Sequence, residues 1–442
     1  MPRVKESKFS RRKFLKLAAT AAAVGPFFTF TESAFAAHKT LKIAKWAHFL
    51  PEFDAWFESM AKEWGEHHNT RVTVDEVPIE SVYAQAKAEI KAGKGRDIFM
   101  FPWPPAEFQQ YVIEHGEIYN TVAMSQGSIP QIAFRSTLNL KTKKYFAVAD
   151  SWIPDPLLFF EDAWLGSRMP AGPLTYGTLR VGGQRVREKT SLPCGLAFTP
   201  TLEGNITTHT LLYAFNGPLI NTRERIEVTA PTVEALNFAK LLCQQAGTPD
   251  QLTWDPAGNV EAMLSGKISC TLSSISLLRR AEKRNPELAR KIMVAPPLLG
   301  SYGVTGYPQV TNCSVVWNFS ANQETAKRFL ADMISNSRTI YEKSLGCNFP
   351  TYPKTVPNLV VRLEKDATAV PPDKYYALKD ALHWTPNLGA PNFATPTFME
   401  AFNTFVIPKM FARVIKGEAA PMDAARAAEA EINQIAEKWK DV

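Results

Sequence analysis

Between residues 41 and 101 the chain switches its hydrophobic period four times, and this constrains the fold more than any other feature. Leu41-Lys42-Ile43-Ala44-Lys45-Trp46 alternates and reads as a strand. Phe53, Trp56, Phe57, Met60 and Trp64 then recur at helical spacing, giving an amphipathic helix over residues 53–67. Residues 71–77 form a second strand closed by Pro78, and residues 83–91 a second helix. Gly93-Lys94-Gly95 ends that helix, as glycine does past a C-terminal cap. Asp97-Ile98-Phe99-Met100-Phe101 is an apolar third strand stopped by Pro102. Strand, helix, strand, helix, strand predicts a parallel α/β sheet with crossover helices.

Further strands are expected at 145–150, 292–295 and 314–319. Helices are expected around 207–215, 232–245, 260–264, 277–289, 321–335 and 421–440. Residues 165–205 are rich in Gly, Pro and Thr and read as irregular. About 400 residues are too many for one core and suit two lobes. No internal repeat and no low-complexity linker separates them, so the lobes should form by the chain crossing back and forth.

The N-terminus carries an address. Ser10-Arg11-Arg12-Lys13-Phe14-Leu15-Lys16 precedes an apolar stretch over 17–30, interrupted by Gly25 and Pro26, and Ala34-Phe35-Ala36 offers a small-x-small cleavage site. This pattern is a twin-arginine export signal, 1–36, and it implies the twin-arginine (Tat) machinery as a partner and the periplasm as destination. The apolar run is shorter than the ~20 residues a membrane anchor needs. No cysteine follows the cleavage site, so no lipid anchor is expected there. Those 36 residues hold seven of the 50 basic side chains and two of the 43 acidic ones, so the remainder carries +2. No Lys/Arg cluster is left to suggest a nucleic-acid surface. The five cysteines (Cys194, Cys243, Cys270, Cys313, Cys347) are scattered and odd in number, and read best as buried apolar thiols.

Four stretches together are similar to a known family. They are the opening strand and helix, 41–64; the helix, Gly93-Lys94-Gly95, Arg96-Asp97 and apolar strand of 83–101; the segment 145–164; and 313–335, where Val316-Trp317-Asn318-Phe319-Ser320 is followed by Glu324, Ala326 and Phe329. In this order the chain resembles the family 1 extracellular solute-binding proteins, the maltose-binding-protein class of ABC importers. It departs from the family at 172–205, where many relatives carry a Thr-Trp dipeptide, and at 351–400, which is long and rich in proline and aromatics. The resemblance implies a two-lobed periplasmic-binding-protein fold (type II), each lobe an α/β sheet with helices on both faces. The lobes would be 38–148 with 298–340, and 156–293 with 346–442, hinged near 150–155, 294–297 and 340–345. It also implies a monomer that captures a small molecule, a sugar or sugar-like polyol, between the lobes and passes it to an ABC permease in the membrane.

A sugar presents hydroxyls at its rim and C–H groups on its faces, so its site needs polar planes and aromatic surfaces. In parallel sheets ligands lie beyond the C-terminal ends of strands. That rule selects Trp46 and His48 after the first strand and Trp103 after the third. Asp150, Trp152 and Asp155 at the crossing are further candidates. Asn216, Trp254 and Ser274 stand in the second lobe, and Tyr302 and Tyr307 in a Gly-rich loop. Trp56, Trp64, Trp317 and Trp439 lie on apolar faces and read as core.

Against catalysis, the chain has no C-x-x-C-H, H-E-x-x-H, G-x-S-x-G or G-x-G-x-x-G. Of the seven histidines only His67 and His68 adjoin, and neighbours in a helix point apart. No metal and no cofactor is expected. The alternatives are a non-sugar ligand such as a polyamine or organic cofactor, and an exported enzyme.

Overall fold

A computed structural model of the chain describes residues 39–301 and 303–441. The export signal and the candidate Tyr302 lie outside the described residues.

β1 (Lys39–Trp46) pairs in parallel with β2 (Thr70–Val77) along its whole length and with β3 (Ile98–Phe101) on its other edge. Helices Pro51–His67 and Val82–Ala92 make the crossovers, and Gly93 takes φ 60° at the end of the second. β4 (Val148–Ile153) joins the same sheet. β5 (Leu157–Phe160), β6 (Cys270–Leu272) and β7 (Ile292–Ala295) form a separate antiparallel sheet with β5 central. β8 (Leu299–Gly300) and β9 (Gly303–Val304) make a short hairpin. β10 (Val310–Val316) then returns between β3 and β4, antiparallel to both, and β11 (Phe349–Pro350) closes the edge. The larger sheet has the order β11-β4-β10-β3-β1-β2. The result is a two-lobed α/β fold of the periplasmic-binding-protein type.

Both faces of the larger sheet are buried. Leu41, Ile43, Ile98 and Met100 pack in one core; Ala44, Trp46, Phe99 and Phe101 pack in the other. Period-two alternation therefore sorts side chains between two apolar layers, as expected for a sheet covered on both sides by helices. All five cysteines are free thiols. Among the described residues no helix is long and apolar enough to cross a membrane.

The structure corrects several local expectations. The sheet is mixed, because β10 enters it antiparallel. The strand expected at 145–150 runs from Val148 to Ile153, since its pairing with β10 extends to Val310↔Ile153 and buries every residue. Tyr145 makes only an isolated bridge to Leu138. Phe349 and Pro350, expected in the second lobe, pair with Trp152 and Ser151 in the larger sheet. The stretch 165–205, expected to be irregular, contains the helix Tyr176–Thr190. A reciprocal cap starts it: Thr178 N donates to Thr175 Oγ1 (3.0 Å) and Thr175 N donates to Thr178 Oγ1 (2.9 Å). Gly182 and Gly183 weaken helix propensity, but a Cβ at Gly183 would stand 2.5 Å from Cys194 Sγ. Close packing decides there. The helix expected at 277–289 breaks at Asn285, where Pro286 opens the new helix Pro286–Lys291.

Candidate functional site

The C-terminal ends of β1, β2, β3 and β6 lead to the lining of one cavity of about 510 Å³. Its size falls in the range of small-molecule sites. Phe49, Glu80, Tyr83 and Trp103 approach from the larger sheet, and Ser273, Ser274 and Arg280 from β6 and the helix after it. Glu203, Asn205, Gln309, Phe402, Asn403 and Phe405 are also among its lining residues.

The aromatic wall is fixed by a chain of contacts. Tyr83 stacks on Trp103 with ring centroids 5.6 Å apart and an interplanar angle of 15°. Tyr83 Oη donates to Pro104 O (3.1 Å), and Trp103 Nε1 donates to Asn403 Oδ1 (2.8 Å). Asn403 Nδ2 in turn donates to Glu107 Oε2 (2.5 Å), a carboxyl that burial raises to a pKa of about 7. Phe402 meets the Trp103 ring at 5.7 Å. Two rings in this wall are thus locked in orientation before any ligand arrives, which lowers the ordering cost of binding.

The polar side of the cavity is built at the start of the helix Leu202–Ala214. Thr201 Oγ1 accepts from Gly204 N (3.2 Å) and caps it. Gly204 is required here: a Cβ would lie 1.8 Å from Thr199 O. The tight turn turns Glu203 and Asn205 toward the cavity. Asn205 Nδ2 donates to Phe402 O (2.8 Å), while its Oδ1 has no partner in the protein. Glu203 Oε1 accepts a long bond from Gln309 Nε2 (3.5 Å), and its Oε2 is buried and unpaired. Burial raises the Glu203 pKa to about 7, with Glu80 and Asp255 adding to the rise. Within electrostatic reach of it, Asp155 is fully buried, its Oδ1 is unpaired, and burial followed by the nearness of Glu203 holds its pKa well above the usual carboxylate value.

Of the residues selected from sequence, Trp103 and Ser274 line the cavity, and Ser274 Oγ bonds Ser276 Oγ at 2.5 Å. Asp155 does not line it but lies within electrostatic reach of Glu203. Trp46 and His48 point instead into the larger lobe. Trp46 Nε1 donates to Asn312 Oδ1 (2.8 Å). His48 Nδ1 accepts from Leu50 N (3.1 Å), so the ring is neutral and Nε2 donates to Asn348 Oδ1 (3.0 Å). Burial accordingly lowers its pKa to about 3. They surround a buried polar cluster with Asp150 and the Lys45–Asp54 ion pair. Asp150 accepts from Ser151 Oγ (2.7 Å) and has a pKa raised to about 7 by burial. Trp152 is buried against Phe349, ring centroids 5.1 Å apart. Asn216 is an exposed left-handed residue in the turn after Ala214. Trp254 is half-buried against Gly195 and Gly258. Tyr307 is core, its Oη donating to Ala390 O (2.5 Å).

Sequence reasoning missed Phe49, Tyr83, Glu203, Asn205, Gln309, Phe402, Asn403 and Phe405. Phe49 and Tyr83 follow β1 and β2, so the strand-end rule could have reached them. The Thr201 cap marks the helix that carries Glu203. Nothing local marks 402–405. Among the described residues no group of His, Cys, Asp and Glu side chains could hold a metal ion.

No protein-family model matches the sequence, and comparison with curated proteins finds no match. Solved structures do match. An ABC transporter solute-binding protein from Thermotoga lettingae, bound with α-D-tagatose, aligns at TM-score 0.72 and 19% identity over 90% of this chain and 99% of that one. A sugar transporter protein from Arthrobacter chlorophenolicus, with laminaribiose, aligns at TM-score 0.68 and 15% identity over 89% and 99%. A solute-binding protein from Agrobacterium radiobacter, in complex with ribitol, aligns at TM-score 0.70 and 15% identity over 90% and 98%. At these identities the likeness is one of fold.

Proposed function

We propose that this chain is the periplasmic solute-binding component of an ABC importer, in the family 1 class, and that it takes a saccharide or polyol into the cleft described above. One observation carries the reading: locked aromatic planes and unpaired hydrogen-bond acceptors line a single cavity at the C-terminal ends of strands from two sheets. Aromatic faces suit the C–H surfaces of a sugar ring, and Glu203 Oε2 and Asn205 Oδ1 lack only donors of the kind that hydroxyls supply. The solved structures of the same fold are named for tagatose, laminaribiose and ribitol, which are sugars and a polyol. The reading is one of binding, without chemistry on the ligand.

On this reading the lobes are the two sheets with their helices. Two crossings between them join β4 to β5, at 154–156, and β7 to β10; a third follows β11, after which the turn Lys374–Leu378 packs on β7. Ligand touching both sides favours the closed arrangement, and only its difference in affinity for the two states drives closure. Lys283, one turn beyond Arg280, pairs with Glu52 on the opposite side, a contact that closure would make and opening would break. The protein is exported folded through the twin-arginine pathway, works as a monomer and delivers its ligand to a membrane permease. Thermal-shift screening against saccharides and polyols is the direct test, because a ligand that binds the folded state raises the melting temperature by mass action. A panel that leaves the melting temperature unmoved would count against the assignment.

A further inference from the structure

The cleft is electrostatically lopsided. Glu80 and Glu203 line it, and Asp155 and Asp255 stand within electrostatic reach of Glu203. Among the described lining residues Arg280 is the only cation, and it already faces Glu261 at 3.7 Å. Glu203 Oε2 and Asp155 Oδ1 are both closed off from solvent and paired with nothing. Burying acids without a cation or a hydrogen-bond donor is costly, and a fold gains nothing from it. Elsewhere in this chain buried charged groups are answered from within: Lys45 has Asp54, Arg279 has Asp366 and Glu282, and the carboxyls of Glu107 and Asp150 accept from Asn403 and from Ser151. The acids at the cleft therefore stand out as groups whose partner comes from outside. The same cavity offers the π faces of Tyr83 and Trp103, which attract cations as well as C–H groups.

We propose that the ligand carries a protonated amine, making it an amino sugar or aminated polyol whose ammonium sits against Glu203. This rests on the saccharide reading and narrows it. An ammonium brings three donors and a positive charge. It can donate to Glu203 Oε2 and compensate that buried carboxylate's charge. A neutral hydroxyl brings one donor and leaves the Glu203 charge uncompensated.

The test uses the purified chain and matched probes differing by one hydroxyl-to-amine exchange per ring: glucose and glucosamine, galactose and galactosamine, cellobiose and the fully deacetylated chitosan disaccharide, with putrescine as a sugar-free amine. In at least one pair the amino member should bind about tenfold tighter by calorimetry, the margin between a charge-assisted and a neutral hydrogen bond. Glu203→Gln should erase that preference while melting no lower than the parent. Neutral twins binding equally or more tightly would overturn the amine and leave the saccharide reading standing. A response to putrescine alone would uphold the amine and sink the saccharide. Silence from every probe overturns both, and a Glu203→Gln protein that melts several degrees lower would show the carboxyl to be structural.

Discussion

Glu203→Gln also tests the electrostatics of the cleft with no ligand present. Burial lifts the carboxyl from an ordinary 4.5 to about 7 in the folded chain, with Glu80 and Asp255 contributing. Below pH 4.5 the folded and unfolded chains both hold the proton, and the burial costs nothing. Between about 4.5 and 7 the unfolded chain releases it while the folded chain keeps it, so stability falls as pH rises. Above 7 the full cost is in place, on the order of 3 kcal/mol. Glutamine has the same shape, stays neutral and can keep the contact with Gln309. Removing the charge also relieves Asp155, which acts in the same direction. Parent and variant should therefore unfold at equal urea concentration at pH 4, and the variant should become the more stable by about 3 kcal/mol at pH 8. Urea unfolding at unit pH steps measures this. A difference that does not change with pH, or a variant weaker at pH 8, would refute the picture of an uncompensated buried acid.

Trp103→Ala should weaken binding of the tightest saccharide about tenfold or more by calorimetry, whereas Trp103→Phe, which keeps a ring against Tyr83, should cost much less. Gly204→Ala forces a Cβ into Thr199 O and should destabilise by about 1–3 kcal/mol in thermal melts, with a loss of affinity as the Glu203 turn shifts. His115 accepts from Val316 N (2.9 Å) and needs a neutral ring, and burial lowers its pKa to about 4. The unfolded chain takes up that proton first, so stability should fall from about pH 6.5 to 4, and His115→Gln should flatten this limb of the urea–pH profile. Lys283→Met breaks an exposed pair with Glu52, so it should change affinity less than about threefold, with the difference fading in high salt.

Much of the larger lobe was legible in the chain. β1, β2, β3, the two crossover helices and the left-handed cap at Gly93 stand within two residues of expectation, because their signals are local: period, breaker and cap. The site was legible only where a strand end pointed to it. Trp103 follows β3 directly, but the same rule chose Trp46 and His48, which the packing of β10 and Asn348 draws inward. Trp152 was expected at a hinge loop, and the extra pairing of β4 with β10 and β11 turned that stretch into sheet.

Sequence by itself determined that the chain alternates strands with helices and that its first sheet is built on parallel crossovers. Those properties depend on residues near one another in the chain. Tertiary structure alone decided which side chains share the cleft. Glu203, Gln309 and Asn403 come from segments far apart in sequence, and Asp155, between β4 and β5, comes within electrostatic reach of Glu203 only in the folded chain. The depth of an acid and the absence of a partner are properties of that long-range packing, and no local pattern in the sequence records them.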